Sequence, residues 1–278
     1  MKYITNIICL IMLSVSISFS QESQKTDSLK YKSDIKILFT FKNFDAENNQ
    51  LFINENNDVM ILLKNNQLMA ISTKSDKKVS ISLPKDIHKA EKIIYSDEYL
   101  IVKDGCFIKQ LKDSTINIYM KMPDENFSIY PAGLSKIYIL LKNKKKYELF
   151  FVDMKTNTQI KILSHSKKIT DILGDGERTF VAIDKDIYLL ENKESILIHH
   201  NETPINSITG SDYGLFFASE SGLSYLSMPF IVVPMDVGYV QKVICKNNIL
   251  YFLKKDGKLF MIENANSFEN KIRDFFND

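Results

Sequence analysis

Arginine is nearly missing from this chain, present only at Arg178 and Arg273, so that lysine carries almost all of the positive charge. Bidentate recognition of phosphates and base edges relies on the guanidinium fork, and its scarcity argues against nucleic acid as a partner. The formal net charge of +2 falls to +1 once Lys2 is removed with the leader described below, which leaves no bias toward a polyanion. Downstream of the N-terminal leader no apolar run approaches membrane-spanning length, so no membrane span is expected in the mature product. Local catalytic signatures are also missing. There is no paired-histidine zinc motif, no paired-cysteine cluster, no phosphate-binding glycine loop ending in Lys-Ser or Lys-Thr, and no Gly-x-Ser-x-Gly elbow. No residue is therefore assigned as catalytic, and no cofactor or metal is expected. Such absences do not reach a site assembled from single residues on separate repeats, which leaves no local signature.

Three cysteines fall to two, Cys106 and Cys245, if Cys9 is lost with the leader. An oxidising compartment permits a disulfide between them, whereas their apolar strand-like surroundings suit buried free thiols. The leader itself is Met1-Lys2 followed by an apolar stretch from Ile7 to Phe19, too short for a transmembrane helix. Ser18 and Ser20 supply the small side chains a signal peptidase requires, which predicts cleavage after Ser20 and a periplasmic or secreted product. Ile8 precedes Cys9 where a lipoprotein needs a small residue, so lipid attachment is not expected. Cleavage leaves about 258 residues, a length that all-β architectures cover as one unit.

After Ser33 the chain alternates runs of Ile, Leu, Val, Phe and Tyr with breaks of Asn, Asp, Lys, Ser and Gly, the pattern of strands and turns. Six segments share one form, an apolar strand, a polar turn and a second apolar strand. They pair Val59–Leu63 with Gln67–Ile71, Tyr99–Val102 with Cys106–Leu111, and Ile137–Leu141 with Tyr147–Val152. The others pair Phe180–Ile183 with Ile187–Leu190, Leu215–Ala218 with Leu223–Leu226, and Leu250–Leu253 with Leu259–Ile262. The ends of the first strands recur at spacings of about 39, 39, 42, 35 and 35, which suits a four-stranded propeller blade.

The flanking strands fall where a blade needs them, Ile169–Leu173 and Ser195–His200 in the fourth unit, and Ile205–Thr209 and Phe230–Val233 in the fifth. The sixth unit has Val240–Ile244 but no fourth strand after its hairpin. The orphan run Ile35–Phe41 is expected to supply it, closing the ring with the N-terminus. The fold class is thus all-β, a six-bladed β-propeller over 35–265, preceded by a leader at 1–20 and a flexible segment at 21–34. A helix is expected at 266–278, with Phe268, Ile272, Phe275 and Phe276 on one face and Asn266 with Glu269 as a capping pair. It serves either to pack under the sixth blade or as a docking peptide.

The segment Gly214-Leu215-Phe216-Phe217-Ala218-Ser219-Glu220-Ser221-Gly222-Leu223 resembles the strand-turn-strand core of the two-component-regulator propeller repeat. With the other five units in outline, the chain is similar to exported bacterial β-propellers of that kind and of the NHL and YVTN kinds. That resemblance implies a fold and no particular ligand.

Several polar groups invite a functional reading. His199 and His200 are adjacent in a strand, so their side chains face opposite ways and do not share a metal. His88 and His165 lie in connections between units. Asp171, Asp175 and Glu177 surround two glycines but match no calcium loop, and they read as solvated turn residues, as do Asp184 and Asp186. Lys142, Lys144, Lys145 and Lys146 read as a solvated hairpin tip. The function expected is an extracytoplasmic binding or scaffold module for a protein or glycan partner of the cell envelope. The alternatives are a propeller enzyme of hydrolase or lyase type and a sensor working with a separate membrane signalling protein. Several Asp, Glu or His side chains converging on the central channel would mark the enzyme, whereas Lys, Asn and apolar groups there would argue against it.

Overall fold

The structure, a computed structural model, describes residues 35–41, 50–53, 59–62, 67–73, 77–96, 99–112, 115–143, 145–174, 178–192, 194–227, 231–235 and 237–267. Six antiparallel sheets of four strands make up this part of the chain. The first blade comprises β2 (Gln50–Ile53), β3 (Val59–Leu62), β4 (Gln67–Ile71) and β5 (Lys78–Ser82). The second comprises β6 (Ala90–Ser96), β7 (Tyr99–Asp104), β8 (Phe107–Lys112) and β9 (Thr115–Lys121). The third comprises β10 (Phe127–Pro131), β11 (Lys136–Asn143), β12 (Lys146–Asp153) and β13 (Thr158–His165). The fourth follows with β14 (Ile169–Gly174), β15 (Thr179–Ile183), β16 (Asp186–Glu191) and β17 (Glu194–His200). The fifth has β18 (Ile205–Gly210), β19 (Gly214–Ser219), β20 (Gly222–Ser227) and β21 (Ile231–Met235).

The sixth blade has three consecutive strands, β22 (Lys242–Lys246), β23 (Ile249–Leu253) and β24 (Lys258–Glu263). Its outer strand is β1 (Ile35–Thr40), paired with β24 from Ile35 opposite Ile262 to Thr40 opposite Lys258. The orphan run at the N-terminus therefore closes the ring as its sequence position requires. Without it, the N–H and C=O groups along one side of β24 would face water as a bare edge.

Burial falls from the inside of each blade outward. The second strand of the first blade is buried throughout, while its outer strand β5 is exposed along its length. The inner strands β2, β6, β10, β14, β18 and β22 succeed one another around the ring and back to the start. Between neighbouring sheets lie six separate apolar clusters, one per seam. That of the fifth and sixth blades contains Phe216, Tyr225, Val243 and Phe252, and that of the sixth and first contains Val59, Ile61, Tyr251 and Leu259. Both faces of each sheet are covered by neighbours, so the buried strands carry consecutive apolar residues in place of strict alternation. Short polar turns keep the hairpins tight. Asn247 and Asn248, at φ of 50° and 62°, form the two-residue left-handed turn that matches strand twist.

The leader at 1–20, the segment at 21–34 and residues 268–278 of the expected C-terminal helix lie outside the described residues. Cys106 and Cys245 are both free thiols. No helix among the described residues is long and apolar enough to cross a membrane.

Candidate functional site

The central channel is a cavity of about 260 Å3 lined by the six inner strands. One polar side chain projects from nearly the same level of several of them. The register defines the position, because Lys92 lies opposite Lys103, Asp171 opposite Ala182 and Ser207 opposite Ala218, each just after a bulge in the inner strand. Gln50 and Lys242 are the first residues of β2 and β22, and Tyr130 lines the channel from β10.

Three of these side chains fasten each inner strand to the next. Gln50 of the first blade accepts from the Ile93 N–H at 2.6 Å and donates to the Ile93 carbonyl at 2.6 Å. Asp171 of the fourth blade accepts from the Ser207 hydroxyl at 2.8 Å and the Ile208 N–H at 3.0 Å. Ser207 of the fifth donates to the Val243 carbonyl and accepts from the Val243 N–H, at 3.3 and 3.4 Å. Main-chain groups that face a neighbouring blade lack a ladder partner there, and these side chains satisfy them.

Lys92 breaks this pattern. Its ammonium sits 3.4 Å from the centre of the Tyr130 ring, the next blade's contribution, and makes no hydrogen bond or ion pair among the described residues. Burial, then the charge of Lys242, lowers its affinity for a proton to a pKa of about 7, against a smaller opposing pull from Asp171. Lys242 is held differently, reaching Asp171 at 2.8 Å. Burial alone would raise the Asp171 carboxyl. The charge and hydrogen bond of Lys242, then Lys92 and Ser207, outweigh it and hold the carboxyl below its ordinary range. The Tyr130 hydroxyl is pushed up by burial and by Asp171. Cys245, whose N–H donates to Thr209 Oγ1 at 2.8 Å, is pushed up to about 12, chiefly by burial. At neutral pH its thiol stays protonated and unreactive.

Asp171 corrects the sequence reading. It belongs to the inner strand β14, is only 5% exposed, and is part of the channel wall, not a solvated turn. The pattern that placed it beside Asp175 and Glu177 counted sequence neighbours, and those two lie outside the described residues. Asp184 lies in the two-residue turn between β15 and β16, and Asp186 opens β16 with its Oδ1 accepting from His200 Nδ1 at 2.6 Å. His199 points the other way, its ring 4.8 Å from that of Phe217, and burial first, then His200, lowers its pKa. His88 donates its N–H to Asp104, and His165 ends β13 with Nδ1 accepting from the Lys167 N–H. None of the four histidines lines the channel. Among the described residues no three His, Cys, Asp or Glu side chains converge on a metal position. At the tip of the hairpin between β11 and β12, Lys146 pairs with Glu148.

Lys92, Lys242, Tyr130 and Gln50 escaped the sequence reading. The signal for them is a polar residue followed by apolar ones at the start of an inner strand, as in Gln50-Leu51-Phe52, Lys92-Ile93-Ile94, Asp171-Ile172-Leu173 and Lys242-Val243-Ile244.

No protein-family model matches the chain, and no curated protein sequence matches it. Among solved structures, a putative gluconolactonase aligns at a TM-score of 0.59 and 10% identity, over 83% of this chain and 91% of that one. A streptogramin B lyase aligns at 0.55 and 15% identity, over 82% and 86%. The extracellular domain of a putative one-component system from B. thetaiotaomicron aligns at 0.54 and 10% identity, over 80% of this chain but 34% of that one. These likenesses establish the β-propeller fold, and the chain is a six-bladed β-propeller similar in fold to a streptogramin B lyase, a putative gluconolactonase and the extracellular domain of a putative one-component system.

Proposed function

We propose that this protein is an exported binding module that holds a protein or glycan partner in the cell envelope on the loops of one propeller face. The observation that carries the reading is the state of the channel. Among the described residues it holds a single carboxylate, Asp171, whose Oδ2 is already engaged by Lys242, Ser207 and the Ile208 N–H, while Oδ1 accepts from the Ile172 N–H. A propeller hydrolase or lyase working through paired carboxylates or a bound cation needs free oxygen ligands there. Export rests on the leader, with cleavage after Ser20 and a periplasmic or secreted product. The likeness to the extracellular domain of a one-component system supports a second reading, a sensor propeller that works with a separate membrane signalling protein.

The test is affinity purification of the tagged, signal-processed protein from its native envelope after mild crosslinking, with mass spectrometry of what is retained. A stoichiometric protein or glycan is the expected result. Recovery of a membrane kinase or regulator selects the sensor reading, and an uncomplexed monomer that turns over an envelope sugar, lactone or peptide overturns both.

A further inference from the structure

We propose that the central channel is a binding site for a small organic monocarboxylate, whose carboxylate lies between the ammonium groups of Lys92 and Lys242. This site goes beyond the binding surface proposed above and stands whether or not a macromolecule occupies the outer loops.

The charge balance of the channel selects the ligand. Lys242 is matched by Asp171 at 2.8 Å, and the remaining contacts of that carboxylate go to Ser207 and main-chain N–H groups. Lys92 lies against the Tyr130 ring with no acceptor among the described residues. At the level of Lys92 and Lys242, two ammonium groups against one carboxylate leave a single positive charge to be balanced when both are protonated; Lys246 also lines the channel, but four residues further along β22, at the opposite end of that strand. A monoanion balances it, whereas a phosphate dianion would carry a second charge toward Asp171. Among the described residues no arginine lines the channel, so no planar fork there favours phosphate.

The walls select the rest of the molecule. Ile93, Ile94, Ile172, Leu173, Ile208 and Ile244 surround the polar level and suit an apolar body. A volume of about 260 Å3 falls below that of drug-sized pockets, roughly 300–1,000 Å3, and limits the ligand to a small acid.

Lys92 also stands apart energetically. At the same level of the ring, Gln50, Asp171 and Ser207 fasten adjacent strands through main-chain hydrogen bonds, and Lys92 does not. Burial and the neighbouring Lys242 both oppose its charge. Apart from the Tyr130 ring and the weaker pull of Asp171, nothing among the described residues offsets that charge, and a carboxylate bound beside it supplies the missing counter-charge.

The test uses the mature chain with benzoate, butyrate, inorganic phosphate and, as a neutral control, benzamide, by calorimetric titration and thermal shift. Benzoate or butyrate is expected to bind saturably at one site and benzamide not to bind. Lys92→Met keeps the volume and removes the charge. It is expected to fold, to melt higher than the wild type without ligand, and to bind the carboxylate at least about tenfold more weakly. In the wild type, bound benzoate is expected to protect Lys92 from reductive methylation, read by mass spectrometry. The proposal is overturned if neither carboxylate binds, if phosphate binds more tightly than both, if Lys92→Met binds as the wild type does, or if methylation of Lys92 is indifferent to benzoate.

Discussion

The second and fifth blades have the same hairpin geometry and opposite chemistry. In both, a two-residue turn joins the second and third strands, so that Lys103 and Asp104 occupy the positions of Ala218 and Ser219, and Lys109 that of Ser224. On the inner strand Lys92 stands where Ser207 does. The fifth blade fills its seams with Phe216, Ala218, Leu223 and Tyr225 on one side and Leu215, Phe217 and Leu226 on the other. The second blade buries charge at those same levels. Asp104 accepts from the His88 and Lys89 N–H groups at 3.1 and 2.5 Å and forms an ion pair with Lys109, which also donates to the Asp86 carbonyl at 2.6 Å. Lys103 pairs with Glu91 and lies 4.8 Å from the Phe127 ring centre. One backbone plan therefore tolerates a wholly apolar seam or one that carries buried ion pairs beside its apolar cluster, and the ion pairs tie the connection from the first blade onto the second.

The largest separation between the two blades is expected from Asp104→Ala. It leaves the Lys109 ammonium buried with only a carbonyl partner and strips two N–H groups of their acceptor. Breaking a buried ion pair from one side costs about 3–5 kcal/mol, which lowers the melting temperature by about 10 °C in a domain of this size. Thermal unfolding followed by circular dichroism measures it, and a loss under about 1 kcal/mol would show that the pair contributes nothing to the seam. The same carboxylate sets an acid limit. Burial alone would raise the Asp104 pKa, but the hydrogen bond from Lys109, those from Lys89 and His88, and the Lys109 charge bring it below the ordinary value. Its contribution is therefore present above the unfolded value near about 3.9 and lost as pH falls through the lower folded value.

Lys92 has the reverse sign. Its folded pKa of about 7 lies below the unfolded value of 10.5, so between the two the unfolded chain binds a proton that the folded chain lacks, and stability rises with pH. The groups that face it are Asp171, Lys242 and Tyr130. Lys92→Met removes this dependence. Measured by urea unfolding, the variant is expected to exceed the wild type by about 2–4 kcal/mol below pH 7, with the gap closing toward about pH 10.5. A gap constant across that range would mean that Lys92 is charged and compensated throughout.

The ring was more legible in the sequence than the site within it, for a physical reason. Hairpins announce themselves through local chemistry, an apolar run ended by Asn, Asp or Gly, so Val59–Leu63 with Gln67–Ile71 falls within one residue of β3 and β4. Closure by Ile35–Phe41 was legible as well, because a sixth unit one strand short implies a strand elsewhere. The channel depends on which residues of six distant strands share one level, and that level is set by bulges such as the one between Ile169 and Asp171. A lysine at the start of a strand reads as a solvated edge in a chain so rich in lysine. Asp171 was misread for the same reason, since its nearest neighbours in sequence are a glycine turn while its partners, Ser207 and Lys242, are 36 and 71 residues away.

The smallest effect belongs to the fifth blade and sharpens the comparison most. Ser219 holds the position of Asp104, is 1% exposed, and shares a 2.8 Å hydrogen bond with the exposed Ser221 hydroxyl. Replacing it with alanine removes one hydroxyl, whose Ser221 partner turns to water and whose long 3.4 Å contact with the Gly222 carbonyl is lost, so no charge is orphaned and no main-chain N–H loses its acceptor. The expected cost is about 1 kcal/mol or less, with no change in the acid limb of the stability profile. Equal costs for Ser219→Ala and Asp104→Ala would mean that the two seams differ in composition only, and that the buried charges of the second blade are as replaceable as a hydroxyl.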